Sequence, residues 1–269
     1  MHFTTLASGS SGNAILVGDD DRHLLVDCGI SGKSLLYNLS RLSISESKIE
    51  GIVVTHEHVD HIRGVGVLAR KLKIPIYATT GLWEVMGPSL GKIAENQRID
   101  VRDSFSCAGL DVFLYPTSHD SRESYGLKVS RSKNKDKGNL AIGIATDSGR
   151  ITEEMHQHLK GCDAFIVEAN YDDERLWNGS YPWYLKKRIS GHYGHLENKQ
   201  LAEGLAEWIE GNTQRVMLAH LSEENNTPEI ALSTVLRILK ELNTAKRCPD
   251  VQVQVAPRYT PHELVVLRE

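Results

Sequence analysis

The chain has 269 residues, of which 40 % are apolar and 25 % are charged, a composition typical of a folded globular protein. Its formal net charge of −4 argues against a general polyanion binder, although that value averages over the whole surface. No apolar run reaches the ~18–20 residues of a membrane span, and the first residues lack the features of a secretory signal. The four cysteines are scattered without Cys-x-x-Cys spacing, which favours reduced thiols, so we expect a cytoplasmic protein with no membrane partner.

Short apolar runs alternate with helical patterns along the whole chain. In the first half, the patterns predict strands at 14–17, 24–26, 52–54 and 76–78, and helices at 34–42 and 65–73. In the second half, they predict strands at 112–115, 125–129, 141–145, 164–168, 216–219, 251–255 and 264–267, and helices at 151–160, 198–210 and 228–242. Two halves that each combine strands with helix–strand units predict an α/β fold. Because no low-complexity linker separates the halves, we expect a single domain over residues 1–269.

Polar side chains that are suited to catalysis recur directly after the predicted strands. They are Asp27, His56, His119, Asp147, Glu168 and His220. In layered α/β folds the loops at one edge of the sheets converge, so we expect these residues to gather in one site.

The most informative motif is Thr55-His56-Glu57-His58-Val59-Asp60-His61, which follows a predicted strand. His56, His58, Asp60 and His61 fall within six positions, and imidazoles with a carboxylate suit Zn, Mn or Fe. The spacing allows His56 and His58 to face one ion, with Asp60 and His61 facing a second. Two ions ~3.5–4 Å apart can share a hydroxide and promote an in-line displacement at phosphorus. The motif therefore predicts a metalloenzyme whose remaining ligands come from distal strand ends.

This cluster and the distal motifs around positions 119, 147 and 220 resemble, in content and order, those of the metallo-β-lactamase superfamily. The resemblance implies a four-layer αβ/βα sandwich and two divalent metal ions, Mn or Zn, with Fe also compatible with the donor set. It implies the following ligands: His56, His58 and His119 on one ion, Asp60, His61 and His220 on the other, and Asp147 bridging the two. It also implies that Asp27 lies behind the ligands and braces the His loop.

Further segments resemble a narrower group within the superfamily, the WalJ/YycJ group of bacterial exonucleases. These segments are 6–13, 181–190, 194–198 and 218–226. The resemblance implies a metal-dependent 5′→3′ exonuclease that acts on double-stranded DNA and is linked to repair. Only 73 positions separate Asp147 from His220, too few for the domain that ribonuclease J and its β-CASP relatives insert there. Glu197 departs from the group's pattern, which has Ser at this place, and a carboxylate there favours the positive end of the following helix.

The candidate catalytic residues are Asp60, Asp147 and His195. His195 precedes a predicted helix, where free backbone N–H groups favour an anion, and an imidazole is suited to proton transfer near neutral pH. In the related ribonuclease Z group, a His in a comparable place donates a proton to the leaving oxygen, and the resemblance implies the same role for His195. His192 is close in sequence and stays open as an alternative donor, and a purely structural histidine is the other interpretation.

Candidate substrate contacts lie mainly in an aromatic and basic stretch at 177–188. Aromatic rings stack on bases, and basic groups follow the phosphate backbone. The candidates are Ser10, Trp183, Lys187, Arg188 and Asn198. The same stretch also fits a core-packing loop followed by a solvated basic turn. A further basic loop at 131–137 fits either a DNA contact or a solvated hairpin tip. We expect duplex DNA with a 5′ end as the partner.

Two other functions stay open from the sequence. The same metal ions would serve a small-molecule hydrolase that acts on a thioester or a cyclic phosphodiester. A non-catalytic signalling or scaffold protein is the remaining alternative. Degenerate members of such folds usually lose ligands, whereas every expected ligand is present here. The sequence does not indicate the oligomeric state.

Overall fold

The structure, a computed structural model, describes residues 1–131 and 139–269. The strands of the first half are β1 (His2–Ala7), β2 (Ala14–Asp19), β3 (Arg22–Val26), β4 (Ile49–Val53), β5 (Ile76–Ala78) and β6 (Arg98–Asp100). The second half contributes β7 (Ser104–Cys107), β8 (Leu110–Pro116), β9 (Tyr125–Arg131), β10 (Ala141–Ala145), β11 (Ala164–Glu168), β12 (Arg215–Ala219), β13 (Gln252–Val255) and β14 (Val265–Val266). Within the described residues these strands form two sheets, in the orders β14-β1-β2-β3-β4-β5-β6 and β13-β12-β11-β10-β9-β8-β7.

The helices are α1 (Gly32–Arg41), α2 (Val59–Ile62), α3 (Val65–Leu72), α4 (Thr80–Leu90), α5 (Glu153–Leu159), α6 (Asp173–Asn178), α7 (Trp183–Ile189), α8 (Asn198–Trp208), α9 (Pro228–Glu241) and α10 (Thr244–Arg247). Side-chain caps fix several of their starts. Ser31 Oγ accepts from the Ser34 N–H at α1, and Thr227 Oγ1 accepts from the Ile230 N–H at α9. In the described part of the chain, no helix combines the length and the apolar character needed to cross a membrane.

The chain folds into four layers because both faces of each sheet are apolar. Successive strand residues point to opposite faces, so Leu25 and Val26 enter different cores. Val26 and Ile166 belong to the buried cluster between the two sheets. Leu25 belongs to the core that the first sheet shares with α1, α3 and α4, and Phe165 to the core that the second sheet shares with α5, α8 and α9. The predicted α/β class and four-layer αβ/βα sandwich are confirmed.

Most of the predicted elements are present, with ends that differ by a few residues. Three strands match their predicted bounds, β5 at Ile76–Ala78, β10 at Ala141–Ala145 and β11 at Ala164–Glu168. The sequence pattern does not reveal β1, because its six residues are all buried and include two threonines, which hides the alternation of a half-exposed strand. Helix α4 is also hidden, because two glycines and Pro88 interrupt the helical pattern.

Arg131, the first residue of the predicted basic loop at 131–137, has a packing role. The side chain of Arg131 is buried, and its guanidinium pairs with Asp19 at 3.0 Å and with Glu269 at 2.6 Å. Arg131 therefore ties β9 to β2 rather than extending into solvent. The other basic residues of this loop, Lys133, Lys135 and Lys137, lie outside the described residues.

Two buried histidines in the first sheet predict an acid-sensitive fold. His2 and His23 both lie opposite Gly18 in the strand register, with ring centroids 5.0 Å apart. Burial, together with the neighbouring His23, lowers the pKa of His2 to about 4. The unfolded chain, with a pKa of 6.5 at this position, therefore binds more protons than the folded chain between these values. The free energy of unfolding should fall as the pH drops through this window.

His2→Leu should reduce this loss of stability, by about 1 kcal/mol at pH 5 after allowance for solvent screening. Urea denaturation at pH 7.5 and pH 5 measures the effect. The matched control is His192→Leu, because the ring of His192 is exposed. Equal pH sensitivity in the wild type and His2→Leu would show that protonation of His2 is not coupled to unfolding.

Candidate metal centre

The candidate site lies where parallel strands of both sheets end at one edge. Strands β3 and β4 are parallel, as are β10, β11 and β12. Asp27 and His56 follow the first pair, and Asp147, Glu168 and His220 lie at the ends of the other three strands. Asp27, Asp147 and His220 have φ values of 58°, 59° and 54°. Such backbone strain in residues other than glycine concentrates at functional sites.

One group of candidate ligands consists of His56, His58 and His119, whose donor atoms lie within 4.8 Å of one another. His58 Nδ1 and His119 Nε2 are 3.2 Å apart. The other ring nitrogen of His119, Nδ1, lies 2.9 Å from the carbonyl oxygen of Gly194. The proton of the neutral imidazole lies on Nδ1 and is donated to this carbonyl. Nε2 then carries a lone pair that faces the group and could bind a cation.

A second group consists of Asp60, His61 and His220, again with donor atoms within 4.8 Å. His220 Nε2 lies 3.5 Å from Asp60 Oδ2. Asp147 lies between the two groups, since its carboxylate is 3.2 Å from His61 Nε2, 3.4 Å from His220 Nε2 and 3.7 Å from His119 Nε2. The seven ligands expected from the sequence therefore converge into two adjoining groups that share one carboxylate.

The donor atoms of this centre fit a divalent cation. His56 Nε2, Asp147 Oδ2 and His220 Nε2 are buried and have no hydrogen-bond partner. Buried polar atoms without partners are rare and costly in folded proteins. Imidazole nitrogens and carboxylate oxygens are suitable ligands for Zn, Mn and Fe ions, so one or more divalent ions would satisfy these atoms.

Asp27 contacts the His loop from the side away from the ligand groups. Its carboxylate accepts hydrogen bonds from the Thr55 N–H at 2.8 Å and from Thr55 Oγ1 at 2.7 Å. His61 Nδ1 lies 2.7 Å from Asp27 Oδ2. The latter contact orients the imidazole so that Nε2 faces Asp60 and Asp147.

Glu168 has a larger place in the site than the sequence analysis gave it. This fully buried carboxylate lies 2.6 Å from His195 Nδ1 and 2.9 Å from His220 Nδ1. The N–H groups of Ser148 and Leu196 donate to its other oxygen. Burial alone would raise the pKa of Glu168, but the two imidazoles outweigh burial and hold it at about 2. The position after a strand was a signal for Glu168, whereas its partners come from distant segments.

The imidazoles of the centre experience opposing electrostatic environments. Burial, reinforced by His61, lowers the pKa of His56 well below its usual range. Burial also acts on His220, but Asp147, Asp60 and Glu168 outweigh it and raise the pKa of His220 to about 10. Such divergent pKa values within one buried cluster are typical of functional sites.

The structure separates the two candidate proton donors. His195 is in contact with Glu168, lies 3.7 Å from Asp147 Oδ1 and stacks on His220 with centroids 5.4 Å apart. The side chain of His192 is exposed, and its carbonyl oxygen accepts a hydrogen bond from Ser118 Oγ. Of the two histidines, His195 therefore lies beside the ligand groups.

The aromatic and basic candidates lie on α7, beside the first group of ligands. Trp183 is 66 % exposed, and Lys187 Nζ lies 4.9 Å from the centre of its ring. Arg188 Nε donates to Asp120 Oδ2 at 2.6 Å, and the other oxygen of Asp120 lies 3.9 Å from His58 Nε2. Arg188 is therefore held near the metal centre through Asp120.

The remaining two candidates have different surroundings. Ser10 is exposed in the loop between β1 and β2, where neighbouring Ser8 accepts a hydrogen bond from the His220 N–H. Asn198 is buried, and its side-chain amide exchanges two hydrogen bonds with that of Asn226 at 3.1 and 2.9 Å. This placement does not support Asn198 as a substrate contact, because its side chain is buried against Asn226.

Comparison with known proteins identifies the family. Residues 22–221 match the family described as beta-lactamase superfamily domain. The chain belongs to the beta-lactamase superfamily. This superfamily member is 39 % identical over 245 residues to exodeoxyribonuclease YycJ of Bacillus anthracis, with 90 % of each chain covered. It is 35 % identical over 243 residues to exodeoxyribonuclease WalJ of Streptococcus pneumoniae, with 89 % of this chain and 88 % of that protein covered.

Solved structures show the same fold. The crystal structure of Zn²⁺-bound PqqB from Methylobacterium extorquens has a TM-score of 0.71 and 17 % identity. The match covers 98 % of this chain and 100 % of that one. The predicted hydrolase with a metallo-β-lactamase fold, and its resemblance to the WalJ/YycJ group, are confirmed.

Proposed function

We propose that this superfamily member is a metal-dependent exonuclease that degrades double-stranded DNA from a 5′ end. The similarity to two exodeoxyribonucleases over about nine-tenths of all three chains carries the proposal. The two adjoining ligand groups support it, since they share Asp147 and surround buried atoms without partners. The proposal includes one domain over residues 1–269, a cytoplasmic location and a role in DNA repair.

The proposed ligand assignment follows the two groups. His56, His58 and His119 would hold one Mn or Zn ion, Asp60, His61 and His220 would hold a second, and Asp147 would contact both. Bound divalent ions would supply a nucleophile at neutral pH and stabilise the negative charge on the phosphate. Asp60 and Asp147 would fix the ions in position, while Asp27 orients His61.

His195 would protonate the 3′ oxygen that leaves phosphorus. Its Nδ1 faces the Glu168 carboxylate at 2.6 Å, so Nε2 is the atom available to deliver a proton. Glu168 would stabilise the charged imidazole and fix its orientation. A positioned acid of this kind typically contributes about 10²–10⁴-fold to a rate.

A panel of substrates tests the proposed function. End-labelled duplex DNA, single-stranded DNA, RNA, a cyclic phosphodiester and a thioester would each be incubated with the Mn- or Zn-loaded protein. We expect duplex DNA to be cleaved with the highest kcat/KM. Thioester or cyclic phosphodiester hydrolysis without cleavage of any nucleic acid would instead establish a small-molecule hydrolase.

The exposed face of α7 predicts a measurable contribution to DNA binding. Trp183→Ala should raise the KM for duplex DNA about tenfold with little change in kcat, because one stacked base contributes roughly 1–3 kcal/mol. Lys187→Ala should reduce the slope of log Kd against log salt concentration by about one, the value expected for the loss of one phosphate contact. Steady-state kinetics and titrations at several salt concentrations measure both effects.

The matched control for the aromatic substitution is Tyr37→Ala, which removes a ring that is 64 % exposed on α1. An unchanged KM in Trp183→Ala, or an equal rise in the control, would remove α7 from the DNA-binding surface.

A further inference from the structure

A cavity lies next to the metal centre, on the other side of the loop that joins β1 and β2. Its volume is about 400 Å³, and its polar lining includes Ser11, Ser31, Ser34, Arg63, Arg258 and Tyr259. Most of its exposed surface is apolar, and Ala7 and Ile30 contribute to it. None of these residues belongs to the ligand groups described above.

The cavity carries two positive charges that the protein does not neutralise. Among the described residues, no carboxylate lies within ion-pair distance of the guanidinium of Arg63 or Arg258. Arg258 Nη2 donates to the carbonyl oxygen of Leu221 at 2.9 Å, while its Nη1 is buried without an acceptor. The nearby carboxylate of Glu223 accepts instead from the Tyr259 hydroxyl at 3.3 Å. The positive charges of Arg63 and Arg258 favour an anion in the cavity.

Neutral donors complete an anion-binding lining. Ser31 caps α1, and its hydroxyl lies 2.8 Å from that of Ser34. The first N–H groups of this ten-residue helix add positive potential on the same side. Arginine forks and hydroxyls match the geometry of phosphate oxygens.

The loop between the two sites connects them directly. On the side of the metal centre, Ser8 accepts from the His220 N–H, and Asn13 Nδ2 lies 3.1 Å from His61 Nε2. On the side of the cavity, Ser11 contributes to the lining, and the Ser8 N–H donates to the Arg258 carbonyl oxygen. Arg63 directly follows the helix that carries Asp60 and His61. A strand whose scissile phosphate reached the ligands would thus bring another phosphate near this cavity.

We propose that the cavity lined by Arg63 and Arg258 is a phosphate-binding subsite for the DNA strand that enters the metal centre. This inference rests on the proposed exonuclease function. The phosphate comes either from the 5′ terminus or from within the strand. A DNA strand that ends in a 5′-hydroxyl lacks the terminal phosphate but keeps the internal ones, so it distinguishes the two sources.

The test uses the metal-loaded full chain and duplex DNA with nuclease-resistant phosphorothioate ends. Affinities for 5′-phosphorylated and 5′-hydroxyl duplexes are measured by fluorescence anisotropy at several salt concentrations. Arg63→Gln and Arg258→Gln should each raise the Kd about tenfold and reduce the salt slope by about one. The control is Arg237→Gln, since Arg237 pairs with Glu241 on the exposed face of α9. Circular dichroism and metal content verify that each variant folds.

The outcomes separate the sources and the two proposals. If the arginine variants bind only the 5′-phosphorylated duplex more weakly, the subsite binds the terminal phosphate. If they bind both duplexes equally more weakly, it binds an internal phosphate. Unchanged Kd and salt slope in both variants overturn the subsite. If the wild type neither binds nor cleaves DNA, the exonuclease proposal fails, and inorganic phosphate becomes the probe. The subsite then stands only if phosphate raises the Tm of the wild type more than that of Arg63→Gln.

Discussion

Asp147→Asn should reduce DNA cleavage by about a thousandfold or more, with the four-layer fold preserved. The carboxylate lies within 4 Å of imidazole nitrogens from both ligand groups, at 3.2 Å from His61 and 3.7 Å from His119. It is fully buried, and the surrounding imidazoles, which outweigh burial, hold its pKa well below the usual range. An amide of the same size offers only a neutral oxygen to a cation. We therefore expect loss of bound metal together with loss of turnover.

Metal analysis and circular dichroism on the purified variant, alongside cleavage of labelled duplex DNA, measure both effects. Asp250→Asn is the matched control, because that carboxylate is exposed. Wild-type activity in Asp147→Asn would refute the proposed shared ligand. Loss of the native circular dichroism spectrum would call for Asp60→Asn as a second variant, since Asp60 belongs to one ligand group alone.

His195→Ala should lower kcat about 10²–10⁴-fold while metal content stays at the wild-type level. His195 is not among the seven proposed ligands, and its Nδ1 is engaged by Glu168. The loss should be smallest for a substrate whose leaving group needs no proton, such as a phosphodiester with a p-nitrophenolate leaving group. Kinetics on that substrate and on duplex DNA, with metal analysis of the same samples, provide the comparison.

Glu168→Gln distinguishes a proton-delivering dyad from a merely structural contact. If Glu168 positions His195, this variant should lower kcat about 10–100-fold and shift the pH profile of kcat, with KM little changed. An unaltered pH profile in Glu168→Gln, or equal losses for both leaving groups in His195→Ala, would exclude His195 as the general acid. His192→Ala serves as the control for both variants, because its ring is exposed.

The convergence of the candidate ligands could be predicted from the sequence because their signal is local. His56, His58, Asp60 and His61 lie together after one strand, and the distal ligands each follow a further strand. The parallel arrangement of those strands then brings their ends to one edge. The sequence motifs and the strand order therefore both place these side chains at one edge of the sheets.

The parts that could not be predicted depend on contacts between distant segments. The interaction of Glu168 with His195 and His220 spans 27 and 52 positions. The pairing of Asn198 with Asn226 turns a candidate substrate contact into a buried one, across 28 positions. Arg131 appeared to belong to a basic loop, but its carboxylate partner Asp19 lies 112 positions away. Spacing along the chain carries no information about such pairs.

Glu197 shows that a departure from a family pattern can have a simple structural reason. The residue precedes α8 as its N-cap, and its N–H donates to Gln200 Oε1 at 3.3 Å. A carboxylate at this end of a helix is favoured by the helix dipole. Burial and the nearby Asp173 raise the pKa of Glu197.

The most direct test of the proposed exonuclease activity follows the release of nucleotides from duplex DNA labelled at the 5′ or the 3′ end. The protein would be stripped of metal by chelation, dialysed and reloaded with Mn or Zn. We expect no cleavage by the stripped protein, and immediate release of 5′-labelled mononucleotides after reloading, while the 3′ label stays on long fragments. Equal cleavage by the stripped and the reloaded protein, or no cleavage with any divalent metal, would contradict a metal-dependent 5′→3′ exonuclease.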